Sequence, residues 1–166
     1  GTTTAAAAAP AAPATAVADL LADPTSATVD SLTALGITGA TADNLANIQT
    51  ALGTANIGGV VTNEQGVQAL VDAVNALPAG ATVLNPTLAG NVLTLPIDTN
   101  GGTVADGTAI ATIDATTQDL DSVTIDSDAD GNIDSTITYT DAGNDGVVEQ
   151  TTTLTDSDDN GNADTT

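Results

Sequence analysis

Apolar positions along this chain follow two periods, and the change falls near Ala79. From Val17 to Leu77 the spacing is helical. Val17, Leu20 and Leu21 share a face before Asp23-Pro24 stops the turn. Ser26 is expected to cap a helix carrying Val29, Leu32 and Leu35, which Gly36 ends. Thr41 is expected to cap the next, with Leu45, Ile48 and Leu52 closed by Gly53. Thr62 with Gln65 reads as a capping box ahead of Val67, Leu70, Val71, Val74 and Leu77, and Pro78 ends that helix.

Beyond Ala79 the period drops to two, in "NVLTLPID", "TAIATIDA", "DSVTID", "STITYT" and "QTTTLT". Pro96 places the first of these strands at a sheet edge or a strand end. In "STITYT", Ile137 and Tyr139 point one way and Thr136, Thr138 and Thr140 the other; in "QTTTLT", Thr152 and Leu154 share a side. Threonine on a solvent face keeps strand propensity without charge. Ahead of both regions, "GTTTAAAAAPAAPATA" is too broken by Pro10 and Pro13 for a helix and reads as an extended or polyproline-like arm. The expected class is α+β, in three parts: an arm over residues 1–16, a small helical region over 17–78, and an antiparallel β-sandwich or meander over 79–166. The helical side chains are small and lack an aromatic, so that region reads as a compact structural spacer.

Composition narrows the function. The chain has no Lys, Arg or His and a formal charge of −22, so nothing inside it neutralises a carboxylate cluster. Nucleic acid and membrane insertion are excluded as partners: Lys and Arg carry binding to phosphate and anionic lipid, and no apolar run approaches the roughly 18 residues of a span. Without Cys there is no disulfide or thiol chemistry; without His, Lys or Arg most catalytic machinery is missing. An acid pair suits a glycosidase, but Tyr139 is the only aromatic available as a sugar platform. The chain is therefore read as a non-enzyme. It lacks Met and opens on Gly1, as a processed or excised segment does, and the Thr- and Ala-rich, acidic, Cys-free make-up suggests a secreted bacterial surface protein.

The acids are not spread evenly, since 13 of 22 lie between Asp119 and Asp164. Eleven of these fall in three loops, "DSDADGNID", "DAGNDGVVE" and "DSDDNGNAD", whose first residues, and whose Gly131, Gly146 and Gly161, are each 15 apart. In the first, Asp126, Asp128, Asp130 and Asp134 take positions 1, 3, 5 and 9, and Asn132 offers its carbonyl at position 7. A chain curling around an ion turns every second side chain inward, and glycine at position 6 permits the sharp bend. The third offers Asp156, Asp158, Asn160, Asn162 and Asp164; the second offers Asp141, Asp145, Val147 and Glu149, but Gly143 removes a ligand and makes it the weakest. The cofactor implied is calcium, because magnesium demands a stricter octahedron and keeps its waters. The competing reading is that Asp-Asn-Gly runs are ordinary turns.

These nine positions resemble the start of an EF-hand loop, departing from it at position 12, where Ile137 replaces the bidentate Glu, and in the flanking strands. The last 45 or so residues are more similar to the calcium-loop repeats of thrombospondin type 3 regions and large bacterial adhesins. "LTALGITGATADNLANIQTAL" with "VQALVDAVNAL" resembles helical modules of very large secreted bacterial surface proteins. The resemblance implies a stapled extracellular fold and no activity.

Three functions follow: a filament subunit joined head to tail, a calcium-stiffened spacer of an adhesin, or a calcium-dependent carbohydrate-binding module. The first is preferred. An arm such as Thr2, Thr3, Thr4, Ala5, Ala6, Ala7, Ala8 and Ala9 can add as a strand to a neighbouring copy, since main-chain hydrogen bonds tolerate a featureless donor. The partners expected are copies of the chain, calcium ions and O-linked glycans on Thr, because the sole Asn-x-Thr triplet, Asn85-Pro86-Thr87, is blocked by proline.

Overall fold

The computed structural model describes residues 13–145 and 147–164. The arm residues Thr2 to Ala9 and the glycine of the second loop, Gly146, lie outside them. Four helices come first: α1 (Pro13–Ala22), α2 (Val29–Ala34), α3 (Leu45–Leu52) and α4 (Glu64–Asn75). Seven strands follow: β1 (Thr82–Val83), β2 (Thr87–Ala89), β3 (Val92–Asp98), β4 (Gly107–Ile113), β5 (Leu120–Asp126), β6 (Ser135–Thr140) and β7 (Gln150–Thr155). The α+β class is therefore what forms. α1 begins at Pro13, inside the stretch read as arm, because proline's fixed φ suits the first helical position.

The caps sit one to three residues from where the sequence placed them. Thr28, not Ser26, opens α2; its Oγ1 accepts from Ser31 N at 3.0 Å and Ser31 Oγ accepts from Thr28 N at 2.9 Å. Asn44 precedes α3, and its Oδ1 accepts from Thr41 N at 2.7 Å. Asn63 caps α4 by accepting from Gly66 N at 3.1 Å. Thr62 is instead held by the sheet: Gln118, in the β4–β5 turn, accepts from Thr62 N at 2.8 Å and donates to Thr62 Oγ1 at 2.6 Å. That approach requires Gly66, where a Cβ would lie 2.5 Å from Gln118 Oε1 and 3.0 Å from Val61 Cα.

The strands form one antiparallel sheet in the order β1-β3-β4-β5-β6-β7, with β2 also paired to β3. From β3 onward it is a meander. Among the described residues there is no second sheet, so the sandwich is replaced by a single sheet covered on one face by helices, with α4 lying on β4 and β5. Pro96 is not at an edge, because β3 is flanked on both sides. Its carbonyl accepts from Leu84 N at 2.8 Å, so its missing N–H faces the break between β1 and β2, where a ladder bond is interrupted anyway.

One apolar cluster joins the two layers: Leu32, Ile48, Leu52, Val67 and Leu70 meet Leu93, Leu95, Ile97, Ile113 and Val123. Tyr139 packs against its margin. The helices stop short of β7, all six residues of which are exposed. Among the described residues no helix is long and apolar enough to cross a membrane.

Candidate metal centre

Meander topology decides where the acidic loops lie. The β3–β4 and β5–β6 connections and the segment after β7 share one end of the sheet; the β6–β7 connection lies at the other. The first and third acidic loops are thus neighbours: Asp156 N donates to Asp134 O at 2.8 Å, and a Cβ on Gly161 would lie 3.4 Å from Asn132 Oδ1.

Each loop is built on the same backbone frame. The N–H of position 9 returns to the carbonyl before position 1: Asp134 to Ile125 at 2.8 Å, Glu149 to Thr140 at 2.9 Å and Asp164 to Thr155 at 2.8 Å. The carboxylate of position 9 accepts from the N–H of position 2, at Ser127 (2.6 Å), Ala142 (2.7 Å) and Ser157 (2.8 Å). Where position 2 is serine, its hydroxyl donates to the same carboxylate. Position 4 takes a left-handed backbone at Ala129 (φ 59), Asn144 (φ 49) and Asp159 (φ 56).

The structure adds a fourth loop of this frame, Asp98 to Asp106. Asp106 N donates to Ile97 O at 2.9 Å, Asp106 Oδ1 accepts from Thr99 N at 2.7 Å, and Gly101 at position 4 has φ 81. Asp98 is only 2% exposed. Its sequence hid it, because Asn100, Gly102 and Thr103 stand where Asp128, Asp130 and Gly131 mark the first loop, and the 15-residue register fails. The signal present was Ile-Asp-Thr followed by an acid at position 9, echoing Ile-Asp-Ser at Ile125.

Oxygens from four acid sets come within 4.8 Å of one another: Asp126, Asp128 and Asp134; Asp128, Asp130 and Asp159; Asp141, Asp145 and Glu149; and Asp156, Asp158 and Asp164. Calcium–oxygen distances of about 2.3–2.6 Å let two ligands of one ion stand up to roughly 5 Å apart, so these sets could hold a metal ion. Asp130 groups with Asp128 and Asp159, apart from Asp126 and Asp134. It turns from the first loop toward Asp159, a residue the sequence reading did not single out, so Asp128 stands between two adjacent centres. Asn132 binds Asp130, through its N–H at 2.8 Å and its side-chain amide at 3.0 Å. Asn160 Oδ1 accepts from Asn162 N at 2.9 Å. Val147 is 60% exposed, with its N–H on Asp145 Oδ1 at 3.0 Å.

Electrostatics mark the junction of the first and third loops. The Asn132 N–H holds the Asp130 carboxyl below its ordinary range, whereas the hydrogen bond to Asp130, then burial and the charges of Asp130 and Asp128, pushes Asp159 up. Two carboxylates thus face each other there in a chain with no side-chain cation. In the third loop, the Ser157 hydroxyl and then its N–H hold Asp164 low. Asp156 is buried, its oxygens accepting from Asn160 N at 3.3 Å and Gly161 N at 2.6 Å. Asp126 Oδ2 accepts from Gly131 N at 3.0 Å, but Asp126 Oδ1 is buried with no hydrogen-bond partner among the described residues.

Comparison of the chain with family models, curated proteins and solved structures finds no match in any of the three.

Proposed function

We propose that this chain is a calcium-stapled structural subunit of an extracellular bacterial filament. The observation that carries the calcium reading is Asp126 Oδ1, a buried carboxylate oxygen with no hydrogen-bond partner among the described residues, beside Asp128 and Asp134. A buried anionic oxygen costs free energy unless something compensates it. With no Lys, Arg or His in the chain, a bound cation is the available compensation. An all-carboxylate set of oxygens suits a hard ion, and irregular loops suit calcium's flexible coordination better than magnesium's octahedron.

The filament reading is supported by β7. It is an edge strand of six residues, "QTTTLT", with no charge and no proline. Proteins normally blunt such an edge, and this one is left ready to pair with an added strand. Residues 1–9 of a second copy have the length and neutrality of a donor.

Calcium titration and melting with and without a chelator test the metal half. Calcium is expected to raise the melting temperature, and Asp126→Asn to weaken binding more than Asp141→Asn, whose loop lacks the position-3 ligand. An unchanged melting temperature would overturn the calcium reading.

A further inference from the structure

We infer that the loop Asp98 to Asp106 is a further site for a divalent cation, calcium by the chemistry of its oxygens. The 15-residue register does not mark it, and it carries two acids only. What points to a ligand is Asp98. At 2% exposure it is the most buried carboxylate among the described residues. Its Oδ1 accepts from Asn100 N and Gly101 N, both at 3.0 Å, whereas its Oδ2 has no hydrogen-bond partner among the described residues. A carboxylate oxygen taken from water without a partner costs free energy, and the chain has no side-chain cation to offset it.

That carboxylate is turned into its own loop. A Cβ on Gly102, at position 5, would lie 3.8 Å from Asp98 Oδ2, 4.0 Å from Asp98 Oδ1 and 3.0 Å from Asn100 Oδ1. The missing side chain thus leaves a cradle walled by two carboxylate oxygens and an amide oxygen. Asp106 closes the loop as Asp134 closes the first. Its Oδ1 accepts from Thr99 N at 2.7 Å and from Thr99 Oγ1 at 3.0 Å, which leaves Oδ2 for an ion. In the first loop the residue at this position, Asp134, joins Asp126 in one acid set.

Two carboxylates balance a divalent charge and the amide adds a neutral oxygen, a hard-donor set that suits calcium. Affinity follows the charge of the ligands, so this site is weaker than the first loop's, at about 10⁻⁴–10⁻³ M as in extracellular calcium modules. The site also has a place in the fold. Gly107, one residue beyond it, packs so closely that a Cβ there would lie 2.8 Å from Ser127 O and 2.9 Å from Asp126 O. An ion in this loop therefore fixes the β3–β4 connection against the start of the first acidic loop. The inference extends the calcium reading to residues outside the three repeats, and it stands on Asp98, not on Asp126.

The test is equilibrium dialysis of the full chain against radioactive calcium, up to millimolar concentration at physiological salt, which counts bound ions whether or not fibres form. Asp98→Asn keeps the oxygen that Asn100 and Gly101 bind and replaces Oδ2 by an amide nitrogen. It is expected to bind one ion fewer than the parent. Gly102→Asp adds a carboxylate at the cradle and is expected to tighten one ion at least tenfold. In chelator, Asp98→Asn should melt no lower than the parent, because it removes a buried charge; in saturating calcium it should melt lower. That crossing separates a lost ligand from a folding defect. A full complement of ions in Asp98→Asn, unchanged affinity in Gly102→Asp, or an Asp98→Asn deficit equal with and without calcium would overturn the inference. If Asp126→Asn loses an ion and Asp98→Asn loses none, this site falls and the proposed function stands. The reverse result keeps this site and removes calcium from the first loop.

Discussion

Asp72 sits one residue from the core positions Val71 and Ala73, and the fold partly withdraws it from water. Burial raises its carboxyl pKa, and the hydrogen bond from Gln68 Nε2 at 2.9 Å only partly opposes this. Across the interface, burial and then the charge of Asp72 push the Tyr139 phenol up to about 12. A carboxyl whose folded pKa exceeds its ordinary 3.8 binds its proton more tightly in the native state. Its effect on stability is therefore unfavourable once ionised: stability falls as pH rises from the ordinary value through the folded one, and stays lower above. Asp72→Asn is expected to raise the melting temperature at pH 7 and to lose that advantage near pH 3. Melting of parent and variant at both pH values checks this, and an equal gain at pH 3 would remove the ionisation account. The sequence shows Asp72 inside an apolar helical run, but its partial burial and its effect on Tyr139, 67 residues away, arise from tertiary packing that periodicity does not encode.

At the scale of elements, periodicity was informative and punctuation was not. All four helices and the five longer strands lie where apolar spacing puts them. The caps slipped because several candidates stand in tandem, as in Thr25-Ser26-Ala27-Thr28, and only packing selects which turn is the first. Ser26 instead donates its hydroxyl to Asp23 O at 2.6 Å, within a short 3₁₀ turn. Thr28→Ala is therefore expected to cost about 1 kcal/mol, a cap's usual worth, and Ser26→Ala much less. For a chain of this size that is a fall of about 2–4 °C in melting temperature. A Ser26→Ala loss equal to that of Thr28→Ala would reverse the assignment. Pro96 and the Asp98–Asp106 loop show two other limits. A proline is tolerated inside a sheet when the neighbouring strand is broken opposite it. A loop frame survives loss of its marker residues, because Asx-type bonds and left-handed backbone hold it.

For the molecule as a whole, the sequence reading separated a helical region from a β region, whereas the structure gives both one apolar core. Each layer has one greasy face and too few large side chains to bury it alone, so each covers the other, and no second sheet is required. This bears on how far the N-terminus can be cut. Val17 is fully buried and Leu20 is 7% exposed, so α1 belongs to the core and cannot be removed with the arm. Residues 1–12 precede it and contribute no side chain larger than threonine or proline. Under the strand-addition proposal they are the donor and β7 the acceptor, and Pro10 stiffens the link between donor and helix. Deleting residues 1–12 is expected to leave the melting temperature and calcium affinity near the parent's while abolishing fibres in negative stain. Deleting residues 1–20 should instead unfold the chain, because it strips Val17 and Leu20 from the cluster at about 1.5–3 kcal/mol each. Adding a synthetic peptide of residues 1–12 to the full chain should cap growing ends and shorten the fibres. A folded 1–12 deletion that polymerises as well as the parent would show that the arm is not the donor.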